Sequence, residues 1–272
     1  MKREEIKVVI MRVGGTNCDS ETRRAFLEQG VQAETLHVND LVKRRSLMNY
    51  NVLVFPGGFS FGDYVRSGVI FARSLGAKLG KEIETFVDEG RPILGICNGF
   101  QILVELGVLP GFEGISTYPE STLTTNVPQG FKCQWIYLKN ENRGKCLFTS
   151  KVPAEKVLRM PIAHGEGRFL FPVEKEQQML DSLIANDMIV FRYCDEKGNV
   201  ANGEYPINPN GSFHDIAGVC NREGTIFGLM PHPERALYWW QQSDWTRQKK
   251  MPQYGDGKLI FESLVDHLTK KF

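Results

Sequence analysis

The sequence predicts an α/β fold: an open, three-layer, mostly parallel sheet with helices on both faces and an antiparallel extension. Three observations carry this. Short apolar runs alternate with stretches of helical spacing over roughly the first hundred residues, the pattern of strands joined by crossover helices. The stretch from Arg91 to Gly107 reads as a buried strand, a sharp turn and a helix. After Gly107 the texture changes to shorter strands separated by Asn, Gly and Pro, which favours antiparallel pairing.

Ile6 to Val13 is β-branched and ends in Gly14-Gly15, so it is the expected first strand. Asp19 or Ser20 is placed to cap a helix running through Ala25, Phe26 and Leu27 to Gly30. Val31 to Val38 alternates as a second strand, and Asn51 to Phe55 is a third, apolar throughout and so buried on both faces. Val69 to Leu79 and Glu82 to Val87 have helical spacing and lead into the strand Pro92 to Ile96. From Phe100 the apolar positions fall at 100, 102, 103 and 106, and Gly107 is a stop. Thr122 to Val127, Phe131 to Leu138, Val157 to Ala163, Met188 to Tyr193 and Ile216 to Cys220 are the expected strands of the extension. Thr225 to Met230 is a further apolar strand, Arg235 to Gly257 is irregular, and Lys258 to Lys270 is a closing helix. With no repeat and no linker, residues 1–272 read as a single domain.

Composition narrows the function. A net charge of +1 offers no electrostatic footprint for nucleic acid or a membrane surface. The six cysteines include no C-x-x-C pair, which fits reduced thiols better than a disulfide framework or a zinc site. The apolar run near the N-terminus contains Lys7 and Arg12, too interrupted for a signal peptide or membrane span. The expectation is a soluble cytoplasmic protein.

Chemistry is concentrated at strand ends. Cys97 sits at the strand-to-helix junction between Gly95 and Gly99, the spacing of a nucleophile elbow with sulfur in place of oxygen. A helix N-terminus also favours thiolate; the alternative is an inert buried Cys. His232-Pro-Glu234 follows another strand. In an extended segment positions 232 and 234 face the same side, so Glu234 can orient the imidazole, as a Cys–His pair requires. The alternative is a histidine in a proline-rich loop. Gly57 and Gly58 follow a third strand and can present backbone N–H groups to an oxyanion, with the backbone N–H of Asn98 as the second donor. The rivals there are a plain turn or a phosphate loop, and no G-x-x-x-x-G-K-[ST] occurs. Carboxyl ends of parallel strands share one crevice, which joins the three sites.

Pro56-Gly57-Gly58, Gly95-Ile-Cys97-Asn-Gly99-Phe-Gln101 and His232-Pro-Glu234, in this order, resemble the class I (triad) glutamine amidotransferases. Further stretches (Arg12 to Asp19, Gly57 to Tyr64, Pro161 to Arg168, Asn208 to Ser212, Met230 to Arg235) narrow the resemblance to one subfamily. That subfamily is the PurQ type, the glutaminase subunit of phosphoribosylformylglycinamidine (FGAM) synthase in purine biosynthesis. The resemblance implies a flavodoxin-like fold, Cys97 as nucleophile, His232 as general base and acid, Glu234 as its orienting partner, and Gly58 and Asn98 amides as the oxyanion hole. It also implies that Gly57, Phe59, Gln101, His164 and Gly165 contact L-glutamine. No metal or cofactor is expected in this chain; ATP and Mg belong to the synthetase subunit. The implied partners are that large subunit and a small accessory subunit. Gly14-Gly15 departs from the subfamily's aromatic-Pro-Gly, and Phe61 stands where Tyr is more usual.

Three alternatives accompany this reading. A γ-glutamyl hydrolase or another cysteine hydrolase of the same fold would use the same elbow. A flavodoxin-like nucleotide carrier would leave Cys97, His232 and Glu234 without a shared purpose. Within the site, His164 competes with His232, since Glu166 could serve as its carboxylate. The segment from Tyr238 to Trp245 reads as a covering loop, or as a docking surface in which Trp239, Trp240 or Trp245 acts with Arg247, Lys249 and Lys250.

Overall fold

A computed structural model of the protein describes residues 1–44, 46–154, 156–247 and 252–271. The N-terminal half alternates strand and helix: β1 (Lys7–Arg12), α1 (Asp19–Leu27), β2 (Gln32–His37), α2 (Val38–Arg44), β3 (Val52–Phe55), α3 (Val69–Asp88), β4 (Ile93–Ile96) and α4 (Asn98–Glu105). The remainder contributes β5 (Thr122–Thr124), β6 (Lys132–Asn140), β7 (Val157–His164), β8 (Arg168–Leu170), α5 (Glu176–Ala185), β9 (Ile189–Cys194), β10 (Ile216–Cys220), β11 (Ile226–Leu229) and α6 (Lys258–Lys271).

Nine strands form one sheet in the order β2-β1-β3-β4-β11-β10-β9-β6-β7. The first five are mutually parallel, and β10, β9, β6 and β7 continue it antiparallel. β3, β4 and β11 are buried at every position, which is why their sequences are apolar runs rather than alternations. From β1 the chain steps to β2 on one side, and from β3 to β4 on the other. Right-handed crossovers then put α1 and α3 on opposite faces. α6 returns to the α1 face, where Phe26 and Phe261 meet edge to face at 5.1 Å. The reversal between β1 and β3 opens a crevice at their carboxyl ends.

Several local expectations give way to tertiary context. α3 is one continuous helix across Gly76 and Gly80, not two stretches. A helical glycine costs about 1 kcal/mol relative to Ala, and the buried stripe of Phe71, Leu75, Leu79, Ile83 and Phe86 outweighs that. α1 begins at Asp19 with Cys18 in the cap position and no side-chain cap, so neither Asp19 nor Ser20 caps it. The strand expected over 122–127 is confined to Thr122–Thr124 and pairs with β8 in a separate two-stranded sheet, outside the extension. α2, α5 and β8 have no counterpart in the sequence reading; α5 buries only Leu180 and Leu183, too narrow a stripe to stand out. The segment after Arg235 contains short 3₁₀ turns at Trp239–Gln241 and Trp245–Arg247. Among the described residues, no helix is long and apolar enough to cross a membrane.

Candidate active site

β4 ends where the chain must turn at once into α4. Cys97 holds φ 51° and ψ −105° there, a sparsely populated backbone state that costs about 1–3 kcal/mol and persists only where surroundings enforce it. The enforcement is visible. Cys97 N–H donates to Leu229 O at 2.8 Å, tying the turn to β11. A Cβ on Gly99 would overlap the Phe55 carbonyl oxygen, and one on Gly95 would stand 2.6 Å from Leu103 Cδ1. Both glycines are therefore required by close packing, as the elbow reading anticipates. The Cys97 thiol donates to Ala163 O at 3.7 Å and is 4% exposed.

β11 pairs with β4 in the register Leu229↔Ile96, so the residues after Leu229 leave the sheet beside Cys97. His232 is held by its backbone N–H, which donates to Pro161 O at 2.9 Å. Pro233–Ala236 then forms a 3₁₀ turn, not the extended segment expected. The turn still brings the two side chains together: His232 Nδ1 lies 2.6 Å from Glu234 Oε1. Burial opposes a charge on this imidazole, but the Glu234 carboxylate, with the Cys97 and Cys18 sulfurs, outweighs it and raises its pKa well above the ordinary value. His232 Nε2 makes no regular hydrogen bond within the protein.

The loop after β3 lies against this pair. A Cβ on Gly57 would stand 2.7 Å from His232 Cε1, so only glycine lets the imidazole settle there. Gly58 has φ +143°, and a Cβ on it would approach Asn17 N and Gly15 O at 2.8 Å. The loop is pinned by Cys18 N–H to Gly57 O at 3.1 Å and Phe59 N–H to Gly15 O at 2.9 Å. Asn98 opens α4, where first-turn N–H groups have no acceptor within the helix. Its side-chain Oδ1 accepts from Ser60 N–H at 3.2 Å, coupling the glycine loop to the helix start. Phe59 is 41% exposed and tilts against Phe131 with 6.1 Å between ring centroids.

α4 is buried at all eight positions, so its polar residues must find partners inside. Gln101 uses both ends of its amide: Nε2 donates to Glu166 O at 2.6 Å, and Oε1 accepts from Asn98 Nδ2 at 3.0 Å. Gln101 thus fastens the 164–166 turn to α4. Asn98 Nδ2 also reaches Asp63 Oδ1 at 3.3 Å. Ser67 ties Asp63 and Glu166 together, its hydroxyl donating to Asp63 Oδ2 and its N–H to Glu166 Oε2, both at 2.9 Å.

His164 and Glu166 do not pair. His164 Nδ1 faces Asn126 Oδ1 at 3.2 Å, and Nε2 makes no hydrogen bond within the protein. Burial, followed by the charge of His232, lowers its pKa to about 3. His164 is thus a neutral, buried imidazole. Gly165 accepts through its carbonyl from Asn126 N–H at 3.0 Å. Asn126 has no motif to announce it, yet its side chain holds Gly167 N–H, His164 O and Gly130 O as well. Asn210 and Ser212, which belong to a noticed motif without an assigned role, bind Gly167 O at 2.8 and 3.2 Å and brace the same turn.

Cys18 falls within the noticed stretch Arg12 to Asp19, but the sequence reading gave it no role. Its Sγ lies with a ring nitrogen of His232 and a carboxylate oxygen of Glu234 within 4.8 Å of one another, all three side chains being buried. In the Trp-rich segment, Tyr238 stacks on Trp240 at 4.4 Å, while Trp240 and Trp245 are 52% and 39% exposed. Lys249 and Lys250, grouped with these residues in the sequence reading, lie outside the described residues.

An open parallel sheet with a cysteine elbow and a buried His–Glu pair at its carboxyl edge defines a triad-type amidohydrolase. The chain belongs to the glutamine amidotransferase family: the profile of the CobB/CobQ-like glutamine amidotransferase domain matches residues 5–268. It is 49% identical to phosphoribosylformylglycinamidine synthase subunit PurQ of Archaeoglobus fulgidus, over 99% of this chain and all of that one. It is 42% identical to the protein of the same name from Methanosarcina barkeri, over 98% of this chain and 100% of that one. Among solved structures, a chain of the PurLQS assembly of Thermotoga maritima superposes with a TM-score of 0.72 at 32% identity, covering 97% of this chain and 99% of that chain.

Proposed function

We propose that the chain is the glutaminase subunit of FGAM synthase, supplying ammonia to a separate ATP-dependent synthetase subunit. The observation that carries this is the buried 2.6 Å contact between His232 and Glu234 beside the Cys97 elbow, in a chain 49% identical to a PurQ subunit over its full length.

In this reading the Cys97 thiolate attacks the side-chain amide carbon of L-glutamine. The carbonyl oxygen becomes an oxyanion facing the backbone N–H groups of Gly58 and Asn98, and His232, oriented by Glu234, hands its proton to the departing ammonia. Water activated by His232 then cleaves the γ-glutamyl thioester, releasing glutamate and restoring the thiol. Gly57, Phe59, Gln101, His164 and Gly165 shape the glutamine pocket. For Gln101 and His164 the bonding pattern favours holding its walls in place, since Gln101 is engaged at both amide ends and His164 is neutral.

The half-reaction needs no metal or organic cofactor in this chain. Cys18, His232 and Glu234 have the donor types for a cation, but His232 Nδ1 is committed to Glu234. The Arg235 guanidinium also sits on Cys18 Sγ at 3.2 Å, where its charge opposes a cation. ATP and Mg serve the synthetase subunit, which converts formylglycinamide ribonucleotide to the amidine. Ammonia released into neutral water becomes ammonium and loses its nucleophilicity, so the product has use only if passed directly to that subunit, with a small accessory subunit in the assembly. The protein acts in the cytoplasm, as one domain built on a single core cluster.

The test is intact-protein mass after incubation with the diazoketone analogue of glutamine, in wild type and Cys97→Ala, with the synthetase and its nucleotide present. One adduct, absent from the variant and blocked by excess glutamine, is expected. No adduct on the wild-type protein would overturn the reading.

A further inference from the structure

Arg235 follows Glu234 directly in sequence, yet its guanidinium does not bond that carboxylate. Its Nε donates to Glu21 Oε2 at 3.0 Å and its Nη2 to Cys18 Sγ at 3.2 Å. Glu234 is fully buried, with Oε1 engaged by His232 and Oε2 free of any hydrogen bond within the protein. A buried carboxylate oxygen without a partner is a strong attractor for a nearby cation. A direct Arg235–Glu234 pair would satisfy it, and would draw the carboxylate away from the imidazole it orients.

We propose that Cys18 is a positioning residue for this site: its sulfur seats the Arg235 guanidinium close to Glu234 but off it, so that the carboxylate stays with His232. The inference rests on the reading of Cys97, His232 and Glu234 as the reacting set. Three features of Cys18 suit the task. It is held rigidly, in the cap position of α1, with its N–H on Gly57 O at 3.1 Å. Burial pushes its thiol pKa up, so at neutral pH it is an uncharged acceptor that receives Arg235 without neutralising it. Its own proton goes to Asn17 Oδ1 at 3.6 Å. Glu21, at the surface of α1, draws the other edge of the guanidinium outward.

The experiment measures glutamate release by the assembled synthetase complex containing wild type, Cys18→Ala, Cys18→Ser, Arg235→Gln and the double variant Cys18→Ala/Arg235→Gln. Removing the seat lets Arg235 reach Glu234. In Cys18→Ala, kcat is expected to fall about tenfold or more, the scale of a general base losing its alignment, with KM for glutamine little changed. The groups facing His232 are Glu234, Cys97, Cys18 and, at longer range, His164. Loss of the Glu234 contact lowers the imidazolium pKa, so the alkaline limb of kcat/KM moves to lower pH. Cys18→Ser keeps an oxygen for Arg235 and recovers most of the loss. The double variant has no guanidinium to collapse onto Glu234 and is expected to exceed Cys18→Ala in kcat. Unchanged kcat and pH limb in Cys18→Ala, or a double variant no better than Cys18→Ala, overturns the seat role. A wild-type complex that fails to hydrolyse glutamine overturns instead the reading of the site, and this inference with it.

Discussion

His232 Nδ1 and Glu234 Oε1 stand 2.6 Å apart with side chains 2% and 0% exposed. Water cannot substitute for either partner at such a site, so the carboxylate orients the imidazole and, ahead of the Cys97 and Cys18 sulfurs, is the largest of the influences that raise its pKa against burial. Glu234→Gln is expected to lower kcat for glutamine hydrolysis by about 10³-fold or more, since the amide cannot stabilise the imidazolium that forms during turnover. The pH dependence has a definite sign. A carboxylate partner raises the histidine pKa, so its removal shifts the alkaline limb of kcat/KM, set by the imidazolium that protonates ammonia, downward; an unmoved limb would show that Glu234 does not act on that imidazolium.

His164 has the opposite electrostatics. Its folded pKa is lowered to about 3 from the ordinary 6.5 of a histidine, so below about 6.5 the unfolded chain takes up a proton that the folded chain refuses. Stability therefore falls as pH drops through that window, by about 2 kcal/mol between pH 7 and pH 5 from this group alone. Urea unfolding at the two pH values, in wild type and His164→Gln, measures it. The variant is expected to lose less stability on acidification than the wild type.

Asn126 holds the 164–167 turn with its side-chain amide at four backbone or ring partners. Asn126→Ala leaves buried groups unpaired, at about 1–3 kcal/mol for each such group. A lowered melting temperature and a raised KM for glutamine are the expected outcome; an unchanged KM would remove the 164–165 segment from the glutamine pocket.

Gly99 lies against the Phe55 carbonyl oxygen. Gly99→Ala forces β3 and α4 apart, costing about 1–3 kcal/mol by overpacking, and moves the turn that carries Cys97. Labelling of Cys97 by the diazoketone analogue is expected to slow sharply in soluble, folded Gly99→Ala protein. Wild-type labelling rates would mean that the turn tolerates the shift.

Glutaminase activity of the isolated chain is expected to be weak, rising about tenfold or more in the complex with the synthetase and its nucleotide, a change worth about 1.4 kcal/mol or more in the barrier. Steady-state glutamate release with and without the partner reads it out. Full activity in the isolated chain would contradict coupling between the two subunits.

All strands but β8, their parallel order over the N-terminal half, the Cys97 elbow and the His232-Pro-Glu234 pair were legible in the sequence because each is written locally. Apolar runs mark buried strands, and glycines two residues either side of Cys97 mark a close approach. The separation of 232 and 234 by one residue puts their side chains within reach in either an extended segment or the 3₁₀ turn actually formed. Only the tertiary structure decided what surrounds them. Cys18 and Arg235 are 217 residues apart, and Asn126 reaches His164 across 38. These meetings depend on which strands lie side by side in the sheet and on the register Leu229↔Ile96. The same holds for α3, where core burial overrode two helix-weakening glycines, and for β5, which left the extension to pair with β8. Periodicity along a chain records how each segment meets the core; it carries no record of which distant segment it meets there.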